Sequence, residues 1–292
     1  MTPGLDVADM SEILLQASDV NVVFHTGQFP QRKKFHALKN VSFDLRAGET
    51  LGLVGESGSG KTTLGRSVLG LVPVDSGSIR FEGQPIHDAT RARRRELSRD
   101  IQVVFQDPYS SLNPAMLIED ILAEPLLAQG IERTEVRRRL RELLDRVQLP
   151  TDALSRLPRE FSGGQRQRIA IARALALKPK VIVCDEPVSG LDLTTQATVL
   201  QLLIEIQEQT GVALLFISHD LSVVRHISHR VMVMLQGEIV ESGPCAKVTS
   251  EPDHSYTRRL LMSAPVANPR RQLERRAALA ALKAQDALGS AS

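Results

Sequence analysis

The sequence predicts an α/β protein, a mostly parallel sheet covered on both faces and interrupted by a helical insert. Three observations predict it. The apolar runs at Val181–Cys184 and Ala213–Ile217 show little alternation, the mark of strands buried on both sides. A strand at Leu51–Val54 passes through a Gly- and Ser-rich loop directly into a helix. Between an early and a late group of strands, residues 107–178 lose the strand pattern and take on helical spacing.

Along the chain, residues 1–16 read as a tail. Strand patterns follow at Val20–Phe24, Val41–Leu45, Thr50–Val54, Ser78–Phe81 and Ile101–Phe105, separated by turn residues such as Ala47-Gly48 and Asp75-Ser76-Gly77. After Lys61, the side chains Leu64, Val68, Leu69 and Leu71 share one side of a helix. Asp107-Pro108 breaks the strand pattern. In the insert, Val136, Leu140, Leu143, Leu144 and Val147 fall at helical spacing, and Pro150 is expected to end that helix. Strands return at Lys180–Cys184, then a helix at Thr194–Gln209, then strands at Ala213–Ser218 and Arg230–Leu235. The Ala- and Arg-rich stretch Arg270–Leu288 reads as a solvated helix or frayed end. The expected organisation is a tail at 1–16, one domain at 17–250 and an extension at 251–292. Within that domain the core is 17–106 and 179–250, and the insert is 107–178.

Composition narrows the function classes. At 292 residues there is ample material for a core. Aromatics are 3% with no Trp, which disfavours base stacking on aromatic platforms and so a nucleic-acid partner. A net charge of +2 does not call for a polyanion. The two cysteines, Cys184 and Cys245, form no paired framework and suit a reducing compartment. Asp6, Asp9 and Glu12 at the N-terminus are unlike a secretory signal. Val212–Ser218 falls far short of the roughly 20 apolar residues that span a bilayer. Any service to a membrane is expected from outside the lipid. Basic clusters at Arg91–Arg95 and Arg137–Arg141 alternate with Glu96, Glu135 and Glu142, as on solvated helix faces.

The chemistry concentrates in a few short runs. Gly55-Glu56-Ser57-Gly58-Ser59-Gly60-Lys61-Thr62 follows a strand and opens a helix, the context a phosphate-binding loop requires. Glycines let backbone N–H groups turn toward a phosphate, and the helix N-terminus adds its positive end. Lys61 would reach the β- and γ-phosphates, the Thr62 hydroxyl would hold Mg²⁺, and Thr63 would touch the α-phosphate. The buried run Val181–Cys184 delivers Asp185 to a strand end, where it can orient the Mg²⁺ shell. Glu186, one residue on, can polarise an attacking water as general base. Ser162-Gly163-Gly164-Gln165 opens a second helix, Arg166–Leu177, with Ser162 as an N-cap and two glycines that admit an anion. One nucleotide could be gripped by both helix starts, or each start could grip a nucleotide shared with another chain. Periodicity leaves both open.

These runs, with Gln106 after a strand, Phe161–Gln165, Ser189-Gly190-Leu191-Asp192 and His219, resemble in their order the ATPase subunits of ABC transporters over about residues 17–245. The resemblance implies a P-loop NTPase (RecA-like) core with a mixed, mostly parallel sheet, an N-terminal antiparallel β subdomain and an inserted α-helical subdomain. It implies ATP and Mg²⁺ as ligands and a head-to-tail dimer, in which ATP on one phosphate loop is closed over by Ser162–Gln165 of the other subunit. It also implies that Gln106 senses Mg²⁺ and links core to insert, that Asp192 communicates between sites, and that His219 contacts the γ-phosphate. An aromatic in the first strand region stacks on adenine, with Phe24 as the candidate and Phe35 as the alternative.

A narrower resemblance, to the subfamily serving oligopeptide, dipeptide and nickel importers, rests on Gln106–Pro114 and on His254-Ser255-Tyr256-Thr257-Arg258-Arg259-Leu260-Leu261. Ser255 departs from it, since the subfamily usually has Pro there. Two isolated cysteines argue against the iron–sulfur site of some relatives. This resemblance implies a peripheral subunit on the cytoplasmic face of the cell membrane. Its partners would be a second ATPase subunit, a sister chain or else an identical copy, two transmembrane permease subunits and a solute-binding protein. The permease is expected to meet the insert near Tyr109 and Leu112. Two other classes fit less well. Soluble nucleic-acid or ribosome-associated ATPases usually carry two cores or extra inserts, and a small-molecule kinase has no use for Ser162–Gln165.

Overall fold

The computed structural model describes residues 12–26, 33–107 and 111–263. Tyr109 and Arg270–Leu288 lie outside them. Strands β1 (Ile13–Thr26) and β2 (Lys33–Arg46) pair antiparallel, and β4 (Ser76–Phe81) and β5 (Gln84–Pro85) extend them into a sheet of order β2-β1-β4-β5. A second sheet runs β10-β9-β3-β8-β7-β6. In it β3 (Thr50–Val54), β6 (Ile101–Val104), β7 (Val181–Asp185), β8 (Ala213–Ser218) and β9 (Arg230–Leu235) are parallel. Only the edge strand β10 (Glu238–Pro244) runs against its neighbour. The mixed, mostly parallel sheet and the antiparallel subdomain match the expected fold class.

Helix α1 (Lys61–Val68) follows β3, and α2 (Arg91–Asp100) leads into β6. Helices α3 (Ile118–Ala128), α4 (Arg133–Arg146) and α5 (Gly163–Leu175), with 3₁₀ turns at Thr151–Ser155 and Pro158–Glu160, fill the stretch between β6 and β7. Then come α6 (Leu193–Thr210) before β8, α7 (Leu221–Ile227) before β9, and α8 (Cys245–Ser250) and α9 (Ser255–Ser263) after β10.

The unalternating strands have a simple cause. Val181 and Val183 of β7 and Leu215 and Ile217 of β8 point into one core, shared with Leu15, Val22 and Leu38 of the antiparallel sheet. Ile182, Cys184, Leu214 and Phe216 point into the other, shared with Leu122, Leu140 and Leu144 of α3 and α4 and with Val224 of α7. Successive side chains enter opposite cores, so every position is apolar. A fully buried aliphatic side chain contributes about 1.5–3 kcal/mol, so both faces of the sheet are strongly held.

Several boundaries move. Ile13–Gln16 belong to β1 and not to a tail, because Leu14 and Leu15 are buried and Leu15 pairs with Leu45 and Phe81. Helix α4 ends at Arg146, four residues before Pro150; Gln148 takes a left-handed φ of 55° and turns the chain before proline is reached. The hairpin strand β10 carries no clear strand pattern in the sequence, since Glu238, Glu241 and Ser242 dilute its apolar residues. Ser255 opens α9, at the first helical position, where proline is also well tolerated.

Strand β3 carries the functional loop, and α7 crosses it at Gly52. A Cβ there would lie 2.3 Å from Val224 Cγ1 and 2.5 Å from Ser228 Oγ. Gly52→Ala is therefore expected to lower unfolding stability by about 1–3 kcal/mol, read from the denaturant midpoint. A midpoint equal to the parent's would show that α7 yields without cost.

Candidate functional site

The loop from Gly55 to Gly60 turns at the carboxyl end of β3, with β8 and β9 on either side. Gly60 adopts φ 111°, and a Cβ on it would stand 2.6 Å from the Ala37 carbonyl oxygen, so only glycine fits against β2 here. The Gly237 N–H donates to Ser59 O at 2.8 Å, and Lys39 N–H donates to Gly237 O at 2.8 Å, pinning the loop between two strands. Lys61 is only 4% exposed. Its Nζ donates to Gly55 O and Glu56 O, both at 2.7 Å, with Ser59 Oγ at 3.4 Å. Burial lowers its pKa, and attraction to Glu186, Asp185 and Glu56 works against that.

Strand β7 brings two carboxylates to the same end of the sheet. Thr62 Oγ1 donates to Asp185 Oδ1 at 3.2 Å. Burial, with the repulsion of Glu186, raises the Asp185 pKa even though Thr62, Arg66 and Lys61 pull the other way. Glu186 leaves the strand with a left-handed φ of 49°, an uncommon conformation for glutamate, while its N–H donates to Ile217 O at 3.0 Å. This turns its carboxylate toward the cleft, where Oε2 accepts from Gln106 Nε2 at 3.1 Å and lies 3.0 Å from His219 Nδ1. A carboxylate accepts only, so the His219 tautomer that fits carries its proton on Nδ1.

A cleft of about 530 Å³ opens over these groups, lined by Ser57, Gly58, Gly60–Thr63, Gln106, Glu186, Ser189 and His219, with Phe35 and Ala37 on one wall. Of the two aromatic candidates the lining takes Phe35 and leaves out Phe24. The two are paired across β1 and β2, and it is β2, the strand of Phe35 and Ala37, that abuts the loop at Gly60. Which strand of the pair lies beside the loop decided this, and the sequence does not carry it. Ala37 lines the cleft without any signal in the sequence that marks it, while Ser189 opens the Ser189–Asp192 run, which assigned it no role of its own.

Ser162–Gln165 and Asp192 are brought together elsewhere. Ser162 and Gln165 cap α5 reciprocally: Gln165 N–H donates to Ser162 Oγ at 3.3 Å, and Ser162 N–H donates to Gln165 Oε1 at 2.9 Å. Gly163 and Gly164 abut Leu191 and Thr195. Asp192 caps α6, its Oδ1 accepting from Thr194 and Thr195 N–H and its Oδ2 from Thr195 Oγ1; these bonds, the Thr195 hydroxyl first, hold its pKa down. None of Ser162–Gln165 lines the cleft over Lys61.

The sequence pattern described as "ABC transporter" matches residues 38–189, just over half the chain. The chain belongs to the ABC transporter family. It is 52% identical over 244 residues to a glutathione import ATP-binding protein, GsiA, of Pectobacterium atrosepticum, covering 83% of this chain and 39% of that protein. It is 52% identical over 236 residues to an oligopeptide transport ATP-binding protein, OppD, of Mycobacterium bovis, covering 81% and 39%. The chain thus spans about two fifths of the length of the curated relatives it matches. Among solved structures, CbiO1 of Clostridium perfringens, part of an ABC transporter complex, superposes with a TM-score of 0.73 at 29% identity, covering 82% of this chain and 92% of that one. The ATP-binding cassette MJ0796, solved as a dimer bound to ADP and Pi, gives 0.71 at 29%, covering 80% and 99%.

The residues of this cassette fit a nucleotide and a hard divalent cation. The loop offers backbone N–H groups and a buried ammonium to phosphate oxygens. Thr62, Asp185 and Gln106 offer oxygen ligands. Among the described residues no cluster of three or more His, Cys, Asp or Glu is built to hold a metal.

The raised Asp185 pKa has a consequence for stability. An acid whose folded pKa lies above its unfolded value of 3.8 stabilises the fold only while protonated, and that contribution is lost as pH rises through the interval. At pH 7 the ionised Asp185 is a net cost to the nucleotide-free cassette. Asp185→Asn keeps an acceptor for Thr62 and is expected to raise the Tm of the nucleotide-free protein at pH 7 while weakening Mg²⁺-dependent ATP binding. A lower Tm by calorimetry would contradict this reading.

Proposed function

We propose that this chain is the ATP-hydrolysing, energy-coupling subunit of an importer for di- or oligopeptides. The observation that carries it is the Glu186 carboxylate, set between Gln106 and His219 at the mouth of a cleft whose floor is Lys61 and Thr62. The glutathione and oligopeptide import functions named for the relatives support the peptide class of cargo. Nickel and other small solutes remain within the subfamily's range.

In this reading Lys61 and the loop N–H groups bind the β- and γ-phosphates, Thr63 meets the α-phosphate, and Phe35 stacks on adenine. Thr62, Asp185 and Gln106 hold Mg²⁺, which when bound neutralises charge on the phosphate oxygens. Glu186 takes a proton from the attacking water as the γ-phosphorus–oxygen bond to ADP breaks. His219, donating from Nδ1, fixes the Glu186 carboxylate and faces the departing phosphate. Gln106 is bonded to the base and begins the path into the helical insert, so it can report the occupancy of the site to whatever the insert contacts.

The separation of Ser162–Gln165 and Asp192 from the cleft supports a site shared by two subunits, in which a second cassette, a sister chain or another copy, supplies its own capped helix start over the nucleotide. Two permease subunits and a solute-binding protein complete the assembly, with this subunit peripheral at the cytoplasmic face. No helix among the described residues is long and apolar enough to cross a membrane.

Two variants test the roles. Glu186→Gln is expected to retain ATP while turnover falls by about 10²–10⁴-fold, since only the base is lost. Lys61→Ala is expected to lose measurable ATP affinity. Parental turnover in the first, or parental affinity in the second, sinks the assignment.

A further inference from the structure

Helix α9, the last among the described residues, reaches the phosphate loop. Tyr256, 3% exposed on that helix, places its hydroxyl 3.0 Å from the Glu56 backbone nitrogen and accepts its N–H. Glu56 N–H and Gly55 C=O belong to one peptide plane, and a trans peptide points the two in opposite directions. The other end of that plane, Gly55 O, accepts Lys61 Nζ at 2.7 Å. One rigid unit is therefore held by Tyr256 on one side and by the loop's lysine on the other. Rotating it breaks both bonds.

Tyr256 is itself firmly placed. The Glu241 carboxylate of β10 accepts the N–H groups of Asp253 at 2.8 Å and His254 at 3.1 Å. His254 then caps α9, its Nδ1 accepting Tyr256 N–H at 3.1 Å. The tyrosine ring and Leu260 sit in the core shared with the sheet and the helical insert. Burial pushes the phenol pKa up, so the group stays a neutral hydroxyl at pH 7. A run of hydrogen bonds thus leads from the sheet edge through the start of α9 to the loop that carries Lys61.

We infer that Tyr256 is a positioning residue for nucleotide binding: through the Gly55–Glu56 peptide it holds the phosphate loop in its binding form before ATP arrives. The inference rests on the ATPase reading above and adds α9 to the nucleotide site. Without the tyrosine oxygen, Glu56 N–H loses its partner and the peptide plane is held by Lys61 alone. The binding-competent fraction of the loop then falls, and apparent affinity falls with it. Bound phosphates restore the plane, so turnover at saturating ATP is kept.

The test is calorimetric titration of Mg²⁺-ATP into the full chain, with steady-state ATPase kinetics and thermal melts of the same preparations. Tyr256→Phe keeps the buried ring and removes only the acceptor. It is expected to raise Kd and KM for ATP by about 3- to 10-fold, with kcat changed less than about 2-fold. Leu260→Ala, a packing change on the same helix, is expected to lower Tm and leave Kd at the parental value. An unchanged Kd in Tyr256→Phe, with the parent binding ATP, overturns the inference alone. An equal Kd rise in Leu260→Ala also overturns it, because general loosening of α9 then suffices. A parent that binds no ATP removes the ATPase reading and this inference together.

Discussion

Lys61 is buried inside its own loop, and the rest of the site depends on how that is arranged. A buried ammonium must be paired, and the carbonyls of Gly55 and Glu56 pair it only if the chain curls tightly around its head. The curl in turn needs Gly60 against the Ala37 carbonyl and the clamp from Gly237. Strand β2 of the antiparallel sheet and the β9–β10 turn are therefore part of the loop's support, although they lie far from it in sequence.

The same economy of placement governs the acidic end of the site. Strand β7 is packed on both faces, so its side chains cannot shift toward the loop, and α1 reaches across β8 instead. A Cβ on Gly65 of α1 would lie 2.8 Å from Ile217 Cδ1, and this close approach lets Thr62 touch Asp185 across the intervening strand. Glu186 then leaves the strand in a left-handed turn. Such a conformation costs of order 1–3 kcal/mol and persists because the sheet holds its N–H on Ile217. The strain sits where a carboxylate has to face a cleft rather than a core.

The two glycine-bearing helix starts are built differently. Gly60 precedes α1 with no side-chain cap, leaving its first N–H groups directed at the cleft. Ser162 caps α5 through its own hydroxyl and sits against the capped start of α6 at Asp192. These paired caps form a separate face of the cassette. That two-part construction is the physical basis for proposing a nucleotide shared between subunits.

Sequence alone determined what depends on local order. The glycine spacing before Lys61 and the acidic pair after an apolar strand are local features, as are the unalternating runs of a sheet with two cores. What it could not decide were distances between segments remote along the chain. Phe35, and not Phe24, stands on the cleft wall because β2 and not its partner β1 lies against the loop, a choice that composition cannot make. Tyr256 meets Glu56 across 200 residues, a contact no spacing rule foretells. Local chemistry is written in consecutive residues, whereas register and helix docking follow from how two cores pack around one sheet, and that exists only once the chain is folded.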